Sequence, residues 1–285
     1  MLRKRIITAL WGIPLLVIAI LFDEPIPWFT VFVAVWGLLA AFEFYRMVAV
    51  SGVPPLTYFG LIWTLLFILS RDSDLLSILE PHFNPDLLTP LLLTSAMVLS
   101  LIWLLLRPQK EGAFIGWAWT IAGILYVGWL LSYLVALRGL DDGRNWVFFV
   151  LFVTFASDTT AFFVGRALGR HHLAPRISPG KTWEGTIAGV FGAIIISLLF
   201  TIPTRLDLHI NISLWQAILL GFLVSVFGQC GDLVESLLKR NMGVKESGKL
   251  MPGHGGVLDR TDSIVFAGIV VYLYYTFIYP AIMVG

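Results

Sequence analysis

Between Gly228 and Ser263 the chain reads GQCGDLVESLLKRNMGVKESGKLMPGHGGVLDRTDS, the longest polar interval in a mostly apolar sequence. Asp232, Glu235, Glu246, Asp259 and Asp262 alternate there with Lys239, Arg240, Lys245, Lys249 and Arg260. A solvated loop could carry the same charge, so spacing has to decide. On a helix, Asp232, Glu235, Ser236 and Lys239 fall at i, i+3, i+4 and i+7 and share one face, with Leu233, Val234, Leu237 and Leu238 on the other. That face lines up a metal-competent carboxylate, a hydroxyl and an ammonium. Downstream, Pro252-Gly253-His254-Gly255-Gly256 supplies glycines that let backbone N–H groups approach an anion closely. Asp259 and Asp262 then stand at the mouth of the last apolar span. Carboxylates and cations around glycines suit Mg²⁺ with phosphates, because Mg²⁺ takes few protein carboxylates and completes its shell with phosphate oxygens and water. A charged loop at a membrane surface is the competing reading.

A second constellation lies upstream. Thr154, Asp158, Ala161 and Gly165 form a small or polar stripe in an otherwise apolar helical stretch. A carboxylate inside a span is costly and by default faces a polar cavity, the alternative being a structural pair of Asp158 with Arg166 or a lysine. Gly180-Lys181-Thr182 resembles the end of a P-loop, but the first glycine of that motif would fall at Pro175, with no strand before it. The segment reads instead as a cationic, glycine-punctuated loop, with Lys181 as a point charge for phosphate. His171 and His172 have no partner at metal-ligand spacing and read as a solvated pair.

Taken together, Ser236-Leu237-Leu238-Lys239-Arg240, four residues, Lys245-Glu246, and then Pro252 through Asp262 resemble the signature of the phosphatidate cytidylyltransferases, the CDP-diacylglycerol synthases. Ser157-Asp158 through Gly185, with Ser178-Pro179-Gly180-Lys181-Thr182-Trp183-Glu184-Gly185, resembles a second segment of the same family. The two matches cover roughly the last 130 residues, and the first 140 resemble the family in hydropathy alone. One position departs: the family shows Asp after the lysine where this chain has Glu246, which keeps the charge and adds a methylene. The resemblance implies the reaction of CTP with phosphatidic acid to give CDP-diacylglycerol and pyrophosphate. It also implies Mg²⁺ with a companion K⁺, and a homodimer. In that frame Asp232 and Asp259 are expected to hold the divalent metal, with Asp262 and Asp158 either as a second ligand set or as groups supporting the first. Lys181, Lys239, Arg240 and Arg260 are expected at the phosphates, Ser236 as a nearby hydrogen-bonding group, and His254, Gly255 and Gly256 against the triphosphate.

The elements that must position these groups are membrane helices. The chain has 285 residues, 58% hydrophobic and 13% charged, with 11 Trp. That composition excludes an ordinary soluble domain. No basic run interleaved with aromatics suggests nucleic acid, and the single Cys230 excludes an internal disulfide or a cysteine-based zinc site. The N-terminal MLRKR and its apolar run resemble a signal peptide but lack a small-x-small cleavage site, so they read as an uncleaved first span. Stretches long enough to cross lie at 6–22, 27–45, 56–70, 88–106, 114–137, 146–166, 183–202, 213–231 and 263–284. The third is the weakest, and RDSDLLSILEPHFNPD after it could form a surface helix. With the N-terminus inside, 15 of the 19 Lys and Arg fall on the inner side, a firm positive-inside bias.

The expectation is therefore a single all-α polytopic membrane domain of about nine transmembrane helices, in the cytoplasmic membrane. Residues 1–140 serve mainly as scaffold and 141–285 carry the chemistry. The polar site opens to the cytoplasm for CTP and to the inner leaflet for phosphatidic acid. Glu43, near the inner end of the second span, reads as an interfacial residue, hydrogen-bonded or snorkelling, rather than a site group. Two other classes fit less well. A CDP-alcohol phosphotransferase needs an Asp-Gly signature that Asp142-Gly143 does not continue. A transporter would place its charges at the midplane of broken helices, where only Asp158 lies here.

Overall fold

The structure, a computed structural model, describes residues 2–22, 26–81, 83–106, 112–204, 207–251 and 255–279. It is dominated by helices: α1 Leu2–Leu21, α2 Trp28–Val50, α3 Thr57–Leu69, the short α4 Ser73–Leu79, α5 Leu88–Leu106, α6 Ala113–Gly123, α7 Leu130–Arg138, α8 Gly143–Leu168, α9 Trp183–Leu199, α10 Leu214–Asn241 and α11 Asp262–Leu273. A π-helical turn, Ile124–Trp129, joins α6 to α7, and another, Tyr274–Ile278, extends α11. Each apolar stretch marked out in the sequence overlaps one of these helices or helix pairs, the last of them running past residue 279, where the described residues end. Among the described residues, five continuous helical segments are long and apolar enough to cross a membrane; α3, α9, α11 with its extension, and Leu10–Leu21 are shorter apolar helices. Large apolar side chains such as Trp11, Phe114, Phe163, Phe191 and Trp215 stand exposed along them, a surface that water would penalise and lipid accepts.

The chain divides into two compact units. The first comprises Met1–Gly139 with Asn241–Asp259, and the second Leu140–Arg240 with Arg260–Gly285. The segment 241–259, grouped with the later spans by its place in the chain, thus packs with the early helices.

In the first unit Tyr45 is fully buried, and its hydroxyl donates to the Thr120 carbonyl at 2.9 Å. The Thr120 hydroxyl in turn accepts from the Leu56 amide at 2.8 Å, so the loop before α3 is pinned to α6. Asp72 caps α4 by accepting from the Leu75 amide and also accepts from the Thr30 hydroxyl of α2. Buried polar groups in a membrane helix are stable only when partnered in this way.

In the second unit α8 and α9 pack closely because small residues face each other. A Cβ on Gly185 would lie 2.6 Å from the Ala161 carbonyl oxygen, and one on Gly189 would lie 3.0 Å from that of Ser157. Such small-residue stripes let backbones approach where lipid gives no hydrophobic drive to associate. The expectation of a plain loop before α9 is corrected. His172–Ala174 (β1) and Ser178–Thr182 (β2) pair antiparallel, with His172 opposite Thr182. Thr182 then caps α9, its hydroxyl accepting from the Gly185 amide at 3.2 Å.

Candidate active site

Within the second unit, α10 carries its helical face well past the apolar stretch. Asp232, Glu235, Ser236 and Lys239 all lie on regular helix, tied by two i,i+4 pairs. The Ser236 hydroxyl donates to Asp232 Oδ1 at 3.3 Å, and Lys239 Nζ sits 2.5 Å from Oε2 of the fully buried Glu235. Lys239, expected at a phosphate, thus holds a buried carboxylate of its own helix in this structure.

The β-hairpin delivers Lys181 to the same place. Its ammonium lies 2.8 Å from Asp232 Oδ2 and donates to the Gln229 carbonyl at 3.3 Å. The two charged side chains are about one-fifth and one-third exposed, so the pair is partly desolvated and stronger than a surface ion pair. The hairpin is anchored from the other side by Arg240, whose Nε donates to the Ile177 carbonyl at 3.1 Å. Below it, the Gln229 amide donates to the Ser225 hydroxyl at 2.9 Å and to the Thr186 carbonyl at 3.3 Å. Ser225 in turn shares a 2.7 Å hydrogen bond with Ser157. This Gln-Ser-Ser chain locks α8, α9 and α10 together beneath the charges. Sequence reasoning passed over Gln229, although a glutamine inside an apolar span was a signal for it.

Asp158 on α8 and Asp262 at the first turn of α11 complete the cluster. Asp158 is exposed and Asp262 half-buried, with Asp262 Oδ1 accepting from the Ser263 amide at 2.8 Å. Both carboxylates lie within electrostatic reach of Asp232 and of one another. Lys181 and Arg260 act on Asp158, and Lys239 on Asp262. The second unit therefore brings together Asp158, Lys181, Asp232, Ser236, Lys239, Arg260 and Asp262. His171 is not isolated: its Nδ1 lies 2.6 Å from Glu184 Oε1, an exposed clasp at the open end of the hairpin.

Asp259, Gly255 and Gly256 belong to the first unit, and His254 lies outside the described residues. Asp259 Oδ2 accepts from the Ser247 amide at 3.1 Å and the Gly256 amide at 2.8 Å. Gly255 has φ of 85°, the left-handed region that glycine adopts without strain, and a Cβ there would lie 2.7 Å from Asp259 Oδ2. Glu43 also reaches this segment. It is 2% exposed rather than snorkelling, and its Oε2 accepts from the Leu258 amide at 3.0 Å and the Ser247 hydroxyl at 3.2 Å.

Among the described residues, no three Asp, Glu, His or Cys side chains converge tightly enough to cage an ion. Mg²⁺ needs no such cage, since it binds through one or two carboxylates together with substrate phosphates and water. The oxygen-only donors at Asp232, Asp158, Asp262 and Ser236 fit a hard divalent cation.

A helical membrane scaffold with clustered carboxylates and lysines at a helix end is a site for polyanion chemistry. The chain belongs to the cytidylyltransferase family, whose sequence model matches residues 3–278. It is 33% identical over 267 residues to a phosphatidate cytidylyltransferase of Bacillus subtilis, covering 93% of this chain and 94% of the relative. Proteins of the same name in Brucella abortus (35% over 255 residues, 86% of this chain and 83% of the relative) and Staphylococcus haemolyticus (38% over 194 residues, 67% and 72%) are also similar.

Proposed function

We propose that this protein is an integral membrane nucleotidyltransferase that joins CTP to phosphatidate, giving CDP-diacylglycerol and pyrophosphate. The observation that carries this reading is the near-full-length similarity to proteins of that name, together with the Asp232–Lys181 cluster on the matching motifs. The chemistry asks little of a nucleophilic side chain. A phosphate monoester has its second pKa near 6, so the lipid phosphate is already an anionic nucleophile at neutral pH. One of its oxygens attacks the α-phosphorus of CTP, and the bond from that phosphorus to the β,γ-pyrophosphate breaks. The obstacle is repulsion between two polyanions, and preorganised positive charge lowers it.

Lys181 and Arg260 are the cations proposed to meet phosphate oxygens. Lys181 is held between Asp232 and the Gln229 carbonyl, so it arrives oriented. Lys239 and Arg240 are proposed to add to the field while bracing Glu235 and the hairpin. His254, Gly255 and Gly256 are proposed to line the triphosphate, with the Gly256 amide already donating to Asp259. Asp232 and Asp259 are the proposed holders of Mg²⁺, with Asp158 and Asp262 as the set for a companion K⁺. A bound divalent ion would neutralise phosphate charge and polarise the attacked phosphorus.

The test is radiolabelled CTP with phosphatidate and the purified protein. An organic-extractable, cytidine-bearing lipid is the expected product. Label that stays in free nucleotide, with or without movement across a membrane, would overturn the proposal. We place nine crossings in the cytoplasmic membrane with the N-terminus and the Lys249 segment inside. A cysteine introduced near Asp141 is then expected to react with an impermeant thiol reagent on intact cells, and one near Lys249 is not. The reverse pattern would discard this topology.

A further inference from the structure

A buried carboxylate in an apolar helix needs a reason to be there, and that of Glu43 lies in what it gathers. Its Oε2 takes two hydrogen bonds, from the Leu258 amide at 3.0 Å and the Ser247 hydroxyl at 3.2 Å. These donors flank Gly255 and Gly256 in the sequence. Its Oε1 is also buried and has no hydrogen-bond partner among the described residues, so the side chain is held there at a desolvation cost. The segment is shaped to admit it. A Cβ on Gly248 would collide with Glu43 Oε1, and one on Gly256 with Glu43 Oε2 and the Ser247 hydroxyl. Asp259 closes the same loop from within, through the Ser247 and Gly256 amides. Ser247 is thus gripped twice, by its amide and by its hydroxyl.

We propose that Glu43 is a positioning residue for CTP: it ties Ser247 to Leu258 and so presets the backbone at Gly255 for the triphosphate. Without the clasp the segment must be ordered at the moment of binding, and that cost falls on nucleotide affinity. This rests on the proposed role of the glycine segment in holding CTP. It adds a residue from α2, 204 positions from Ser247 in sequence.

The experiment uses the full-length protein in nanodiscs, with Glu43→Ala, Glu43→Gln and Ser247→Ala. KM is measured separately for CTP and for phosphatidate, and trypsin cleavage is timed at Lys245 and Lys249, both exposed. Glu43→Ala is expected to raise KM for CTP by about tenfold, to leave KM for phosphatidate unmoved and to speed cleavage. Glu43→Gln keeps a carbonyl acceptor for Leu258 and Ser247, so it is expected to restore most of both properties, and Ser247→Ala to give a smaller rise of the same kind. Should Glu43→Ala fail to accumulate, the other two variants decide. Unchanged cleavage in the variants would overturn the clasp itself. Faster cleavage with an unchanged KM for CTP would leave the clasp standing and overturn its assignment to the nucleotide. Glu43→Gln as damaged as Glu43→Ala would show that charge, not hydrogen bonding, is what Glu43 supplies, and would equally overturn the inference.

Discussion

Two pairs of carboxylates, one in each unit, differ in the donors that reach them. In the first unit, Glu43 and Asp259 each spend an oxygen on neutral donors: the Leu258, Ser247 and Gly256 amides and the Ser247 hydroxyl. In the second, Asp232 faces the Lys181 ammonium and Glu235 the Lys239 ammonium. Neutral donors fix the shape of a loop and ask only for an acceptor, which an amide side chain can also supply. An ammonium asks for charge, which an amide cannot supply. Asp→Asn and Glu→Gln substitutions therefore separate the two sets, and Asp259 is where the comparison is most exposed.

The largest effects are expected at the proposed metal ligands. Asp232→Asn is expected to lower turnover by about a thousandfold or more, roughly 4 kcal/mol of transition-state stabilisation, while the protein still accumulates in the membrane. If Asp259 only shaped its loop, Asp259→Asn would keep an acceptor for the Ser247 and Gly256 amides and most of the activity. As a metal ligand it loses as much as Asp232→Asn. We expect the latter, with a double mutant barely worse than either single one, because residues acting through one ion behave as a unit. Near-normal activity in Asp259→Asn, or losses that multiply in the double mutant, would confine Asp259 to the loop and pass the metal to Asp158 and Asp262.

The helices were legible because apolar runs of membrane length between charged breaks have few other meanings. Their ends were not. The apolar span marked at 213–231 ends well before Asn241, where α10 stops; only the helical spacing of Asp232, Glu235, Ser236 and Lys239 pointed to that extension, which the Ser236–Asp232 and Lys239–Glu235 pairs support. The hairpin at Ser178–Thr182 was hidden because Ser-Pro-Gly-Lys carries no strand pattern; its pairing is fixed by its neighbours rather than by propensity. Within the site, the Asp232 face followed from helical spacing, but the approach of Lys181 to it depends on how α9 and α10 pack. Glu43 reads in the sequence as hydrogen-bonded or snorkelling and is the first, but which groups it bonds was not legible, because they lie more than 200 positions away, beyond any local pattern.

The smallest effect is expected at Glu246, the one position that departs from the family signature. Its side chain is exposed, next to the clasped Ser247, and its Cγ lies 3.7 Å from where a Cβ on Gly255 would be. It borders the loop without any of the amide bonds that hold Asp259, so it belongs to neither set, and its remaining role is through-space charge. A through-space charge tolerates a change of length but not its removal. Glu246→Asp is therefore expected to keep near-normal turnover, and Glu246→Gln to lose about tenfold, roughly 1.4 kcal/mol. Because the group is exposed, the gap between Glu246→Gln and the unaltered protein is expected to narrow as salt rises and the Debye length shrinks from about 10 Å at 0.1 M toward about 3 Å at 1 M. Steady-state turnover at several ionic strengths measures this directly. If Glu246→Asp abolishes turnover and salt leaves the difference untouched, Glu246 is a length-critical ligand, and the glycine segment carries part of the metal site rather than only shaping the approach to it.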